Sequence, residues 1–143
     1  MANMQDLIAS FPAQLSKSIE IGRSQKVTNP TNEIRNVVIA GLGGSGIGGS
    51  IVESIIINEI KIPVVICKTY DIPAFVGKHT LFIASSFSGG TEETLIALGQ
   101  VREAKIACVT SGGELLNICK QNNYDYVQIP NEAPCPRAFL GYS

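Results

Sequence analysis

The sequence predicts an α/β domain built on a parallel sheet of five strands. Short runs that are apolar throughout alternate with helix-like segments, and this alternation is typical of a parallel sheet that helices cover on both faces. Three of the apolar runs end in loops rich in glycine, serine and threonine. The chain has 143 residues, of which 45% are hydrophobic and 16% charged, so it can bury one ordinary core.

The first 34 residues are predicted to form a helical segment that packs on the domain. Pro12 is well placed to begin a helix that runs to about Ser24. Residues 27–33 carry turn chemistry and predict a loop. The apolar positions that recur at helical spacing are Leu7, Ile8, Phe11, Leu15 and Ile19.

Residues 35–130 are predicted to form the sheet domain. Ligands of parallel sheets bind beyond the carboxyl ends of the strands, so the loops at 41–49, 85–91 and 110–113 are expected to meet at one edge. The predicted strands are Asn36–Gly41, Val64–Cys67, residues 80–84, Lys105–Thr110 and residues 126–129, and the predicted helices between them span 50–60, 91–104 and 114–121.

The loop at 85–94, with the sequence SSFSGGTEET, predicts a phosphate site. A helix start with unpaired amides and a favourable dipole attracts an anion, and hydroxyls add hydrogen-bond donors. Ser86, Ser88 and Thr91 are therefore predicted to bind phosphate, although each also fits the role of a cap or turn residue. Glu92 and Glu93 fit the role of complementing the helix dipole better than a catalytic role.

The loop at 41–46, GLGGSG, formally matches the GxGxxG pattern of dinucleotide-binding domains. The acidic residue that would bind the ribose is absent around residues 67–69, where only Lys68 is charged. The pattern therefore favours a turn that cradles a phosphate or sugar, with a hydroxyl from Ser45. Close packing of a helix on the sheet explains some of the glycines without any ligand.

Composition excludes several other functions. The net charge of −1 and the pI near 5.8 show no basic excess, so no nucleic-acid partner is expected. No apolar run is long enough to span a bilayer, and the first residues do not resemble a signal peptide. The four cysteines have no CxxC spacing and no local histidine partner, so we expect no metal site and a thiol-reduced, cytoplasmic location. No cofactor is expected.

The last residues predict a boundary. Residues 130–136, PNEAPCP, are typical of an extended linker, so we expect 131–143 to be a linker and the start of a second domain. Arg137 stands in an otherwise uncharged stretch and could place a guanidinium beside a phosphate or an enediolate. A role as a solvated tail residue is equally compatible with its spacing.

Together these motifs resemble the N-terminal SIS (sugar isomerase) domain of the bifunctional phosphoglucose/phosphomannose isomerases. The resemblance covers nearly everything from Asn36 onward, with the departure that Gly90 stands where the family usually has Asn. It implies a flavodoxin-like, three-layer αβα fold. The segments that carry it are 41–49 (GLGGSGIGG), 85–94 (SSFSGGTEET), 110–113 (TSGG) and 136–143 (PRAFLGYS).

The resemblance also implies a function. The ligand would be a sugar 6-phosphate, with Ser86, Ser88 and Thr91 on the phosphate and Gly44 and Ser45 facing the sugar. Arg137 would stabilise the enediolate of an aldose–ketose isomerisation, in which a proton moves between C1 and C2.

The base and the ring-opening residues of that family lie in the second SIS domain or a partner subunit. The chain alone is therefore expected to be inactive, and a homodimer is expected. The alternative is a non-catalytic SIS module that senses a sugar phosphate.

Overall fold

Five parallel strands form a single sheet in the computed structural model, which describes residues 3–131 and Tyr142. The strands are β1 (Asn36–Gly41), β2 (Val64–Cys67), β3 (Thr80–Ser85), β4 (Lys105–Thr110) and β5 (Asp125–Gln128). The helices are α1 (Met4–Ala9), α2 (Phe11–Ser24), α3 (Gly43–Ile56), α4 (Glu92–Gln100) and α5 (Gly113–Asn122). The strands follow the order β2-β1-β3-β4-β5 across the sheet, and every pairing is parallel. This is the flavodoxin-like order, and it confirms the predicted fold class.

Successive side chains of each strand point to opposite faces of the sheet, and helices pack on both faces, so the molecule has three layers. Val38, Phe82 and Cys108 are fully buried on one face, together with Leu115 of α5 and residues of α4. On the other face α3 packs on the sheet, where a Cβ at Gly49 would lie 3.1 Å from Ile39 Cγ2. The helices on each face thus pack on the strand residues whose side chains point to that face.

Helix α3 begins earlier than the sequence predicts. It starts at Gly43 rather than near residue 50, so most of the glycine-rich loop is the first part of the helix. The glycines allow close approach: a Cβ at Gly46 would lie 2.7 Å from the carbonyl oxygen of Gly41. Packing against the sheet thus outweighs the low helix propensity of glycine.

Other boundaries differ by smaller amounts. Helix α4 ends at Gln100 rather than near residue 104, because the chain turns there and Glu103 adopts a left-handed backbone with φ 59°. Strand β5 begins one residue earlier than predicted, at Asp125. Asp125 forms an ion pair with Lys105 at the start of β4, which fixes the two strands at this end.

The amino-terminal segment forms two helices. Asn3 and Asp6 form a capping box on α1, and Pro12 lies in the first turn of α2, as predicted. Leu7 packs against the buried pair of Phe87 and Ile129. The apolar side chains of α2 are more exposed: Phe11, Leu15 and Ile19 keep 36–53% of their accessible surface.

Two predictions concern residues outside the described part of the chain. Arg137 and the linker predicted at 131–143 fall there, apart from Asn131 and Tyr142. Among the described residues no helix combines the length and the apolar character needed to cross a membrane.

Candidate functional site

The carboxyl ends of β1 and β3 lie side by side at the centre of the sheet. Gly41 at the end of β1 pairs with Ser85 at the end of β3. Helix α3 leaves β1 toward one face, and α4 leaves β3 toward the other. This divergence makes a crevice at a topological switch point, the usual ligand position in a sheet of this kind.

The loop between β3 and α4 is organised by the hydroxyl of Ser86. Ser86 keeps 1% of its accessible surface, and its Oγ lies 2.8 Å from Oγ1 of Thr91. The same oxygen accepts a hydrogen bond of 3.1 Å from the amide of Gly89. Ser88, by contrast, is exposed and accepts a 3.2 Å hydrogen bond from the amide of Gly90. The structure thus brings the three predicted residues together but buries only Ser86.

Helix α4 begins without a side-chain cap. Thr91 occupies the N-cap position, but its hydroxyl contacts Ser86 instead of capping the helix. Helix α3 also lacks a side-chain cap, because its N-cap residue is Leu42. First-turn amides have no acceptor within their own helix, so these two helix starts present donors and positive dipole ends at the switch point. Such ends bind anions.

Gly44 and Ser45 lie in the first turn of α3 and not in a loop that precedes the helix. Both are buried, and Ser45 Oγ accepts a 3.3 Å hydrogen bond from the amide of Phe87. The hydroxyl predicted to face a sugar therefore joins the β1–α3 turn to the β3–α4 loop.

The β4–α5 loop is locked onto the β3–α4 loop. The amide and hydroxyl of Ser111 both donate to the carbonyl oxygen of Phe87, at 3.0 and 2.5 Å. The amide of Leu115 in α5 donates to the carbonyl oxygen of Gly89 at 2.8 Å. Ser111 thus connects the two loops and acts as a structural residue. At the start of α5, one of the first-turn amides is therefore already bonded to a carbonyl oxygen of the protein.

Titratable groups at this edge come from the β2–β3 loop and α4. The negative charges of Glu92 and Glu93 raise the pKa of Tyr70 above its usual value. Sequence reasoning missed this electrostatic coupling, because the loop at 68–79 carries no motif. His79, the single histidine, lies at the other end of β3, where its Nδ1 is 2.9 Å from the carbonyl oxygen of Glu33.

The strand order defines a flavodoxin-like α/β domain, a fold whose ligands usually bind at the carboxyl ends of the strands. No family model matches the chain. The chain is 42% identical over 142 residues to the bifunctional phosphoglucose/phosphomannose isomerase of Caldicellulosiruptor bescii, covering 98% of this chain and 42% of that protein. It is also 42% identical over 114 residues to the protein of that name from Thermoplasma acidophilum, covering 78% and 34%. The chain thus spans less than half the length of these relatives.

Solved structures of sugar-phosphate proteins share the fold at low sequence identity. The Vibrio vulnificus NanR protein complexed with ManNAc-6P superposes with a TM-score of 0.68 at 18% identity, covering 99% of this chain and 57% of that one. The C-terminal domain of glucosamine-fructose-6-phosphate aminotransferase from Francisella tularensis gives 0.67 at 17% identity, covering 97% and 45%. Tagatose-6-phosphate ketose/aldose isomerase from Escherichia coli gives 0.57 at 15% identity, covering 97% and 40%.

Proposed function

We propose that the protein is a sugar-phosphate isomerase that interconverts glucose 6-phosphate or mannose 6-phosphate with fructose 6-phosphate. In this proposal the 143 residues supply the phosphate-binding SIS domain of the enzyme. The observation that carries the proposal is the pair of uncapped helix starts, α3 and α4, on either side of the switch point. It agrees with the names of the relatives that are 42% identical to the chain.

The phosphate belongs at the start of α4. There it would receive the first-turn amides and the hydroxyls of Ser88 and Thr91. Ser86 was predicted to bind phosphate as well, but its hydroxyl is buried and holds Thr91 and the amide of Gly89. We propose that Ser86 acts by positioning Thr91.

The sugar belongs at the start of α3. The amides of Gly44 and Ser45 lie in the first turn, where no intrahelical acceptor is available to them. The Ser45 hydroxyl is engaged with the amide of Phe87, so we assign sugar binding to the backbone of this turn.

The chemistry requires groups beyond the described residues. Moving a proton between C1 and C2 needs a carboxylate or imidazole within hydrogen-bond reach of the carbon-bound proton. In the described part of the chain, Glu92 and Glu93 lie in the first turn of α4, where they complement the helix dipole, and His79 lies at the opposite edge. We therefore propose that the base and ring-opening groups come from a second SIS domain or a partner subunit, and that Arg137 stabilises the enediolate.

Thermal unfolding in the presence of ligands tests the binding part of this proposal. Fructose 6-phosphate should raise the melting temperature of the 143-residue chain in a concentration-dependent way, because it binds only the folded state. Fructose and NAD should leave it unchanged, since neither places a phosphomonoester at the start of α4. Stabilisation by NAD alone would instead indicate a dinucleotide site.

A second candidate is a non-catalytic module that senses a sugar phosphate. This candidate is supported by the fold that the chain shares with the NanR protein, whose structure was solved in complex with ManNAc-6P. The two functions differ in turnover: a longer protein that carries this chain should convert mannose 6-phosphate to fructose 6-phosphate if it is the isomerase. Tight sugar-phosphate binding without turnover in that longer protein would support the sensor.

A further inference from the structure

Lys68 is a cation at the ligand edge that the motifs do not include. It directly follows Cys67, the last residue of β2, which pairs with Ala40 beside the end of β1. Its Cε lies 3.4 Å from the position that a Cβ on Gly46 would occupy. The aliphatic part of the lysine therefore crosses the beginning of α3, where glycine leaves room for it.

The backbone around Lys68 is held on both sides. The strand fixes it on one side, and a short turn fixes it on the other. In that turn the Cys67 thiol and the Thr69 hydroxyl both donate to the carbonyl oxygen of Asp71, each at 3.1 Å. The lysine thus projects from an ordered stretch of backbone, so no loop has to be ordered when its side chain contacts a ligand.

Within the described part of the chain, the ammonium of Lys68 forms no ion pair within 4 Å, which it shares with other exposed lysines such as Lys61. What distinguishes Lys68 is its position at the ligand edge of the sheet. It also lies beside the positive end of α3, where a second positive charge is unfavourable. A ligand oxygen with partial negative charge, placed between the ammonium and the start of α3, would reduce the repulsion between these two positive charges.

We propose that Lys68 is a substrate-binding residue whose ammonium contacts oxygen atoms at the sugar end of the substrate. The inference rests on the proposed function, because it takes the phosphate to lie at the start of α4. The end of β2 is separated from that of β3 by β1, a distance of about 10 Å across two strand spacings. The ammonium therefore reaches the C1–C3 part of the ligand near Gly44 and Ser45, and not the phosphate.

The test compares Lys68→Met with Lys61→Met. Both remove one exposed ammonium, but Lys61 precedes β2 at the opposite edge of the sheet. Calorimetric titrations with fructose 6-phosphate and with inorganic phosphate would be run on both variants and on the wild type. We expect Lys68→Met to weaken fructose 6-phosphate binding about tenfold or more while phosphate binding is unchanged. Lys61→Met should change neither, and both variants should melt like the wild type.

The outcomes separate the two proposals. Unchanged fructose 6-phosphate affinity in Lys68→Met, with normal wild-type binding, would overturn the role of Lys68 and leave the proposed function intact. An equal loss for both ligands would place the ammonium on the phosphate and contradict the assignment to the sugar end. A wild type that binds neither ligand would overturn the proposed function and this inference with it.

Discussion

The hydroxyl oxygens of Ser86 and Thr91 lie 2.8 Å apart, close enough to share a hydrogen bond. This contact explains why Thr91 stands at the N-cap position of α4 without capping the helix. The bond ties the N-cap residue to a buried serine at the end of β3 and leaves the first-turn amides to an external acceptor. The contact between these two hydroxyls thus leaves the first-turn amides available for the phosphate that we propose to bind here.

Replacing Ser86 with alanine should chiefly lower the stability of the protein, because its hydroxyl bonds to other groups of the protein. The change removes a buried acceptor from the amide of Gly89 and the partner of Thr91. We expect the free energy of unfolding to fall by about 1–3 kcal/mol, measured by urea denaturation. Ser88→Ala is the matched control: its hydroxyl is exposed, so its effect should stay within about 0.5 kcal/mol. Equal stabilities for the two variants would show that Ser86 does not hold the loop.

Replacing Gly89 with alanine should disrupt the contact between the β3–α4 and β4–α5 loops. Gly89 has a φ of 70°, and a Cβ there would lie 1.8 Å from the carbonyl oxygen of Gly112. We expect a loss of about 3 kcal/mol or more in unfolding free energy, because a strained backbone and a clash add together. Gly90→Ala is the control, since its Cβ would approach no atom closer than 4.0 Å. A Gly89→Ala protein as stable as Gly90→Ala would contradict the interlocked arrangement.

The ion pair between Lys105 and Asp125 should make stability depend on acid pH. Burial alone would raise the pKa of Asp125, but the hydrogen bond from Lys105 and those from Thr28 outweigh it and lower the pKa. Because the folded pKa is the lower one, the stabilisation is present at pH values above the unfolded pKa of about 3.9 and is lost as the pH falls through the folded pKa.

Asp125→Asn tests this dependence. At pH 7 it should lower the free energy of unfolding by about 1–2 kcal/mol, and its stability should fall less steeply below pH 4 than that of the wild type. Asp71→Asn changes an exposed carboxylate and should follow the wild-type profile. Parallel acid profiles for the wild type and Asp125→Asn would show that the pair contributes no pH dependence. Denaturation curves from pH 2.5 to 7 measure this directly.

Much of the sheet could be predicted because its strands are apolar runs with clear ends. Strands β1, β2 and β4 have the predicted bounds, and β3 extends only one residue further. The start of α3 could not be predicted in this way, since glycine disfavours helix in isolation. Its helix forms because Gly46 and Gly49 let it approach Gly41 and Ile39, and such contacts appear only when the elements are assembled.

The candidate site could be predicted only in part, again because some of its contacts form only when the elements are assembled. The motif at 85–94 identified the loop, but which hydroxyl is buried depends on contacts across the fold. Ser45 reaches Phe87 over a separation of 42 residues, and Ser111 reaches it over 24. Lys68 carries no local signal, because its proximity to Gly46 arises from the pairing of β2 with β1.

The most direct test of the account is the affinity for fructose 6-phosphate of a Ser88→Ala, Thr91→Ala double variant, measured by calorimetry beside the wild type. A second double variant, Ser24→Ala with Thr31→Ala, removes two exposed hydroxyls far from the switch point and serves as the control. Melting curves of all three proteins would show that the compared proteins are folded.

The account predicts that the wild type and the control bind equally and that the Ser88→Ala, Thr91→Ala variant binds at least about tenfold more weakly, because two donors to a charged oxygen are lost. An affinity equal to that of the wild type in the folded double variant would place the phosphate elsewhere and contradict the proposed site.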